Sequence, residues 1–391
     1  MSTVREARKV LIAGVSTRAA AESAACAGFA VTAIDAFGDL DQHPSVRSVS
    51  LAQNFTARAA ALAAQTIECD AVAYLSSFEN HPKAISTLAE GRALWGNPPE
   101  IVRRVRDPLV LAEALRRRGL SAPEVRSDVG AGFSRTNDDK VCLKADPTFG
   151  WLVKPLASGG GQRIHIWDHA TPLPRGCYLQ EFIDGPSGSI VFVAAGGRAV
   201  PLGMSRQLVG EPAFGAQGFQ YSGNILTAAS GDVDAVTALA QAVVDEFGLV
   251  GVNGIDFIAC DGGPCAIEVN PRWCASMELV ERAYGVSMFE AHASACTSGR
   301  LPDFDLVRAR PSAGAVGKAV IYARGDVTVG DTRTWLTNHE NIRDIPRPGS
   351  RISSGRPVCT IFADAPDGPT CHEALVESAS RVYAQLEAWC A

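Results

Sequence analysis

The stretch that most limits what this chain can fold into lies at residues 251–272, GVNGIDFIACDGGPCAIEVNPR. Two apolar runs flank Asp261-Gly262-Gly263, and such a turn between strand-like runs predicts a β-hairpin. Asp256 and Glu268 each stand six residues from Gly262, so they are expected to face each other across the hairpin. Asn270 lies two residues beyond Glu268 and shares its face, because side chains alternate along a strand. Opposed carboxylates destabilise a sheet unless positive charge lies between them. Solvated acids on an exposed hairpin would remove the difficulty, but the flanking runs are too apolar for that. A hard divalent cation resolves it, since Mg2+ takes carboxylate and amide oxygens together with phosphate oxygens. Asp256, Glu268 and Asn270 are therefore the candidate metal ligands. Arg272 continues the same parity and is placed to reach a terminal phosphate.

Two further elements carry chemistry. Residues 151–164 read WLVKPLASGGGQRI, where a strand delivers Lys154 beside Ser158, Gly159, Gly160 and Gly161. Only six of the chain's 36 basic residues are lysines, so this one stands out. A glycine run lets backbone N–H groups cradle phosphates, and a lysine at its root supplies a point charge. Taken alone, the element is equally a surface turn. Residues 177–183, CYLQEFI, form an apolar strand with Gln180, Glu181 and Ile183, ended by Asp184-Gly185. Its backbone could meet a purine edge; taken alone, it reads as a core strand.

The first hundred residues alternate strand and helix. The run at 10–15 (VLIAGV) suits a buried parallel strand, Ser16-Thr17 is expected to cap the Ala-rich helix that follows, and Gly28 closes it. Strands at 29–34 and 71–75, with helices near 56–66 and 82–91, continue a doubly wound α/β layer. The first turn reads GVSTR, so a dinucleotide fingerprint is absent. Ligands of such sheets gather at strand C-terminal ends, which brings Ser16, Asp35 and residues 76–80 (SSFEN) towards one crevice. Asp107-Pro108 opens a helix with Leu111 and Leu115 on one face and Gly119 beyond its end. The polar stretch 127–140 reads as a surface excursion. The expected domains are an N-terminal α/β domain (1–105), a mixed α+β core (106–310) and a small β-rich C-terminal lobe (311–391).

With 391 residues, 47% of them apolar, the chain is long enough for two or three packed cores. A net charge of −6 argues against a non-specific nucleic-acid binder. No apolar run approaches the roughly 18–20 residues of a membrane span, and MSTVREARKV does not read as a signal peptide. Eleven scattered cysteines without a C-x-x-C point to reduced thiols in the cytoplasm, not to a disulfide framework or a zinc site. His165 and His169 have i,i+4 spacing, but in a strand-like stretch that spacing does not make a ligand pair.

In this order, V-K-P, a glycine loop, a Q-E-F-I-x-G strand and D…E-x-N-P-R, the elements resemble the ATP-grasp superfamily, and the resemblance spans nearly the whole chain. It implies ATP and Mg2+ (or Mn2+) as cofactors. Lys154 would bind the α/β-phosphates, with Ser158 and Gly159, Gly160 and Gly161 closing over them. Gln180, Glu181 and Ile183 would contact adenine. Asp256, Glu268 and Asn270 would hold one or two ions, Arg272 would meet the γ-phosphate and the acyl-phosphate, and catalysis would rest on positioning and charge neutralisation by the metal, Lys154 and Arg272. Stretches such as DAFGDLD, SSFEN, ALWGN and VRDP are similar to a branch of predicted ATP-dependent carboligases near the tyramine–glutamate ligase of methanofuran biosynthesis. The chain departs from the pattern in three places. Pro108 stands where a first phosphate lysine is common, with Arg103, Arg104 or Arg106 as substitutes. Ser187 stands where a ribose-binding acid is usual. Ser276, with Glu278 two positions later, replaces the bicarbonate glutamate of biotin carboxylases. The function this implies is a carboxylate–amine ligase releasing ADP and phosphate, with an amino acid such as glutamate as one partner in one-carbon cofactor assembly. A bicarbonate-dependent carboxylase, which the lobe GKAVIYA…SSGRPVCTIF also resembles, and a non-catalytic ATP sensor are the alternatives. Partners are then a small carboxylate and an amine, without nucleic acid or membrane, and a homodimer is left open. The run at 217–224 (QGFQYSGN), with Tyr221 and Asn224, is the candidate substrate wall.

Overall fold

The computed structural model describes residues 8–127, 150–168, 170–229, 233–338 and 341–390. The polar stretch from residue 128 onward, and His169, lie outside these. His165 is exposed on a short strand.

The chain opens with β1 (Lys9–Ala13), α1 (Arg18–Cys26), β2 (Ala30–Asp35), β3 (Arg47–Ser50), α2 (Ala57–Ala64), β4 (Ala71–Tyr74), α3 (Pro82–Ala89) and β5 (Ala93–Trp95). The five strands form one parallel sheet in the order β3-β2-β1-β4-β5. Both faces are covered, which is why β1 and β4 read as unbroken apolar runs. Leu11 and Ala13 pack with α2 and α3, while Val10 and Ile12 pack with α1. Thr17 does not cap α1 through its side chain; its hydroxyl donates instead to Asp35 Oδ2 at 2.6 Å. The carboxylate of Asp35 also accepts from the N–H groups of Phe37 and Gly38, so it organises the turn after β2.

Two helices lead out of this layer, α4 (Pro99–Val105) and α5 (Pro108–Arg117). Asp107 caps α5 by accepting from the N–H groups of Leu109 and Val110, and Gly119 follows with φ +72°. A four-stranded sheet is built from β6 (Val125–Arg126), β7 (Trp151–Pro155), β8 (His165–Ile166) and β9 (Cys177–Glu181), in the order β6-β9-β7-β8. The strands β10 (Ser187–Ala195), β11 (Arg198–Val209) and β12 (Tyr221–Thr227) come next, followed by α6 (Val233–Phe247). The expected hairpin is β13 (Gly251–Cys260) and β14 (Gly263–Asn270), followed by α7 (Ala275–Tyr284) and α8 (Met288–Ser298).

The last segment holds β15 (Ala315–Tyr322), β16 (Val327–Thr328), α9 (Thr334–Asn338), β17 (Ile342–Arg343), β18 (Arg351–Ile352), β19 (Pro357–Ala365) and α10 (Gly368–Cys390). It joins the core directly. The eight-stranded sheet runs β14-β13-β10-β11-β12-β15-β19-β17, so β15 pairs with β12. One face of the half formed by β14, β13, β10 and β11 is covered by α6, which buries Ile190, Ile255, Phe257 and Val269. The opposite face, with Val191, Val193 and Val252, packs towards α7, α8 and the N-terminal layer. No helix among the described residues is long and apolar enough to cross a membrane.

Candidate active site

Asp256 and Glu268 are direct partners across β13 and β14, and Gly254 pairs with Asn270. The register steps by one between Asp256 and Phe257, which pairs with Ala266, and Cys260 pairs with Gly263. The turn is therefore two residues long, and Ile267 is a bulge that restores the register. Counting from Gly262 finds the right pair because the bulge compensates the shorter turn. Residues 256, 268 and 270 occupy the face turned towards the N-terminal layer, while Phe257 and Val269 face α6.

Each acid has a distinct set of partners. Asp256 accepts from Gln207 Nε2 at 2.7 Å and from Asn270 Nδ2 at 3.0 Å. Burial, and then the neighbouring Glu268 charge, push its carboxyl up to about 6. Glu268 accepts a very close hydrogen bond from Arg106 Nη1. Burial works to raise Glu268, but Arg106 and Lys154 outweigh it and hold its carboxyl below its ordinary value. Two carboxylates with an amide, on one face and with opposite proton affinities, fit a divalent cation that takes its remaining oxygens from phosphate or water. Among the described residues no three His, Cys, Asp or Glu side chains converge as a closed metal cage. The donor set is therefore an open one.

The positive groups come from separate elements. Lys154, buried on β7, donates to Gln180 Oε1 at 3.2 Å and to the carbonyl of the bulged Ile267 at 3.5 Å. Arg272 donates through Nε to Glu79 Oε1 at 2.8 Å and through Nη2 to Asn270 Oδ1 at 3.0 Å. Glu79 follows β4 of the parallel sheet and is 2% exposed, so the crevice at the strand ends of the first layer meets the hairpin here. Of the three arginines before Asp107, Arg103 and Arg104 point outwards, whereas Arg106 turns in to Glu268.

The glycine loop lies over these groups. Asn80 Nδ2 donates to the Ser158 carbonyl at 3.2 Å, and the Tyr221 N–H donates to the Gly160 carbonyl at 3.0 Å. A Cβ at Gly161 would come within 1.8 Å of the Phe219 carbonyl oxygen, at φ +72°, so the close docking of the loop on residues 217–221 requires glycine there. Beneath it Arg106, Lys154, Ser158, Gly159, Gly161 and Glu268 line a cavity of about 40 Å³. That holds water but not a nucleotide. An open cleft of about 300 Å³, lined by Ser77, Asn80, His81 and Arg163, lies on the outer side of the loop.

Not every candidate converges. Gln180 is buried against Lys154, but Glu181 points to the other side of β9, where its carboxylate accepts from the Glu124 N–H at 2.9 Å. Ile183 lies beyond the strand and is half-buried. Neither borders the cavity. Ser187 donates to Gln207 Oε1 at 2.6 Å. In the candidate substrate wall, Tyr221 donates to Asn224 Oδ1, whose amide donates to Ser205 Oγ at 2.9 Å. Asn224 stands opposite Lys318 of β15. The Lys318 ammonium donates to Glu278 Oε2 at 2.8 Å, and Arg18, fully buried at the start of α1, also reaches Glu278. Sequence reasoning missed the Arg18–Glu278–Lys318 cluster and the Glu79–Arg272 pair, because their partners lie far apart in the chain. An alanine-rich helix start that nonetheless carries Arg18 was the one available signal.

Residues 105–276 match the sequence profile of the ATP-grasp domain. An uncharacterized protein of Methanocaldococcus jannaschii is 21% identical over 276 residues, which is 68% of this chain and 63% of that relative, so the alignment spans less than two thirds of its length. The fold is similar to that of an L-amino acid ligase from Bacillus licheniformis, with a TM-score of 0.69 at 17% identity, covering 97% of this chain and 98% of that one. It is also similar to the biotin carboxylase domain of 2-oxoglutarate carboxylase from Hydrogenobacter thermophilus, in complex with MgADP and bicarbonate (TM-score 0.68, 16% identity, 95% and 89% covered). A carboxyaminoimidazole ribonucleotide synthase from Aspergillus clavatus, complexed with ATP, matches with a TM-score of 0.66 at 17% identity over 96% of this chain and 99% of that one. At these identities the likenesses establish the fold. Residues 105–276, which hold Lys154, the glycine loop and the Asp256–Glu268 hairpin, form an ATP-grasp domain.

Proposed function

We propose that the protein is an ATP- and Mg2+-dependent carboxylate–amine ligase that releases ADP and phosphate. The observation that carries this reading is the facing pair Asp256 and Glu268, with Lys154, Arg106 and Arg272 converging on it beneath a glycine loop. A bound Mg2+ would neutralise phosphate charge between the two acids. Lys154 would hold the phosphate chain from the floor, and residues 158–161 would exclude water from above. Arg272, kept rigid by Glu79 and Asn270, would balance charge on the transferred phosphoryl group and on the acyl-phosphate that the amine attacks. No side chain need act as a nucleophile.

Glu278 bears on the choice between amine and bicarbonate. Burial would raise its carboxyl, but Arg18 and Lys318 outweigh it and hold it below its ordinary value. A carboxylate neutralised in this way is a poor base for bicarbonate, which supports the ligase reading. For the substrate we keep an amino acid such as glutamate. The similarity of DAFGDLD, SSFEN and ALWGN to the tyramine–glutamate ligase branch supports this, as does a fold neighbour that is an L-amino acid ligase. A reducing, cytoplasmic setting is supported by the free cysteine thiols among the described residues.

The test is ADP release over a panel of amines and carboxylates, with hydroxylamine as a trap. The expected result is an acyl hydroxamate together with ADP and phosphate, and Lys154→Ala should raise the KM for ATP. AMP with pyrophosphate, or ADP release that depends on bicarbonate and ignores every amine, would overturn the proposal. Tight ATP binding without turnover on any substrate would favour the sensor.

A further inference from the structure

Arg106 stands where two of the site's ligands would have to be. Its side chain is 12% exposed, at the junction between α4 and the Asp107 cap of α5. Nη1 donates to Glu268 and to the Val269 carbonyl, the latter at 3.3 Å. Nη2 makes only long contacts, 3.3 Å to Asn80 Oδ1 and 3.5 Å to the Ser158 carbonyl. Nε is buried without a partner among the described residues. The same side chain lines the cavity under the glycine loop with Lys154.

These contacts make the pairing a provisional one. A divalent cation on Glu268 would set two positive centres on one carboxylate, and directly on Oε1 it would compete with Arg106 Nη1 for the same oxygen. Cation binding therefore weakens the hold on Arg106 and favours its release. A buried guanidinium released from its carboxylate needs another anion. Its fork matches phosphate oxygens, its unpartnered Nε adds a donor, and Lys154 already marks that cavity as the place for negative charge.

We propose that Arg106 is an internal stand-in for the cation at Glu268, and that it transfers to the nucleotide phosphates when metal and nucleotide bind. This rests on the nucleotide reading of the site and adds a residue to it at the place where Pro108 removes the usual lysine. A thermodynamic consequence follows. Metal and nucleotide each need the Arg106–Glu268 pair broken, so whichever binds first spares the other that cost. The coupling is reciprocal.

The experiment uses the full-length protein and reads binding, not turnover. Mn2+ alone is titrated by electron paramagnetic resonance into wild type and Arg106→Met, with circular dichroism as the fold control. Metal-free ADP is titrated by calorimetry into wild type, Glu268→Gln and the double variant. If Arg106 stands in for the cation, Arg106→Met binds Mn2+ about ten-fold more tightly than wild type. Glu268→Gln, which frees Arg106, binds metal-free ADP about ten-fold more tightly, and Arg106→Met abolishes that gain. A merely structural ion pair predicts the opposite sign for Mn2+, since its loss would loosen the hairpin. Unchanged or weaker Mn2+ binding in Arg106→Met overturns the stand-in role. An ADP gain that survives in the double variant overturns the phosphate role. Wild type that binds ADP under no Mn2+ condition overturns the nucleotide reading, and the phosphate role with it, while the Mn2+ arm still decides the stand-in role. If Arg106→Met does not fold, Arg106→Lys is substituted; it keeps charge but loses the fork, and a Mn2+ affinity equal to wild type with weaker ADP binding is then expected.

Discussion

Alanine substitution along the glycine loop should give a steeply graded series. At Gly159 an added Cβ meets nothing within 4 Å and φ is not positive, so Gly159→Ala should bind nucleotide within about two-fold of wild type. Gly160 has φ +63° in open space, so Gly160→Ala carries only the left-handed penalty of about 1–2 kcal/mol, roughly five- to 30-fold in affinity. Gly161 combines φ +72° with a Cβ 1.8 Å from the Phe219 carbonyl oxygen. The loop must retreat by more than an ångström, losing the Tyr221 N–H bond to the Gly160 carbonyl as well. The conformational penalty of about 1–2 kcal/mol and a hydrogen bond worth about 1 kcal/mol give about 2–3 kcal/mol. That is roughly 30- to 150-fold in nucleotide affinity. Calorimetric titration of ATP with Mg2+ measures the series, and hydrogen exchange at the Tyr221 amide reports docking. The melting temperature should move little, because the loop contributes little to any core. Equal losses at all three positions, or wild-type affinity in Gly161→Ala with the Tyr221 amide still protected, would refute the reasoning.

Two further perturbations probe the frame around the site. Glu79→Ala leaves the buried Arg272 charge without its carboxylate, with only the Asn270 and Trp273 oxygens to accept from it, which should lower stability by about 3–5 kcal/mol in urea unfolding; Glu79→Gln, which keeps an acceptor, should lose clearly less. Glu281 is held by the Ser23 hydroxyl and the Met288 N–H, and burial pushes its carboxyl up to about 7. Because the folded value lies above the unfolded one, its contribution is fully present below about pH 4.5 and is lost as pH rises through about 7. Glu281→Gln should therefore match wild type at pH 4.5 and exceed it by about 1–3 kcal/mol at pH 8. A stability difference that does not change with pH would assign Glu281 a different state.

What could be read from the sequence was local. The Asp107 cap, the Gly119 stop and the Asp256–Glu268 pairing all depend on neighbours within one element or one turn, where spacing fixes geometry. The bulge at Ile267 was not legible, although it gives Lys154 a carbonyl to bind. Thr17 looked like a cap because Ser and Thr favour helix starts, but a carboxylate on the next strand competes better for its hydroxyl than a backbone N–H does. Choosing Arg106 over Arg103 and Arg104 required knowing which way α4 turns its last residues. The Glu79–Arg272 pair spans 193 positions, a distance over which no pattern of spacing carries information. The glycine run was legible as a loop, whereas its seat on Phe219 was not.

The pairing of β12 with β15 separates the segment by which this chain is recognised from the segment that can stand alone. The matched profile ends at residue 276, but β15, β19 and α10 lie beyond it. A fragment cut there would expose the edge of β12 from Gly223 to Thr227, a row of unpaired N–H and C=O groups that invites intermolecular strand addition. It would also uncover Ile225 and Leu208, which pack with Leu375 and Ala379 of α10. A chimera that moves this chemistry into another protein must therefore carry the C-terminal strands and helix along with it, and a crossover point placed at the profile's boundary should yield aggregates.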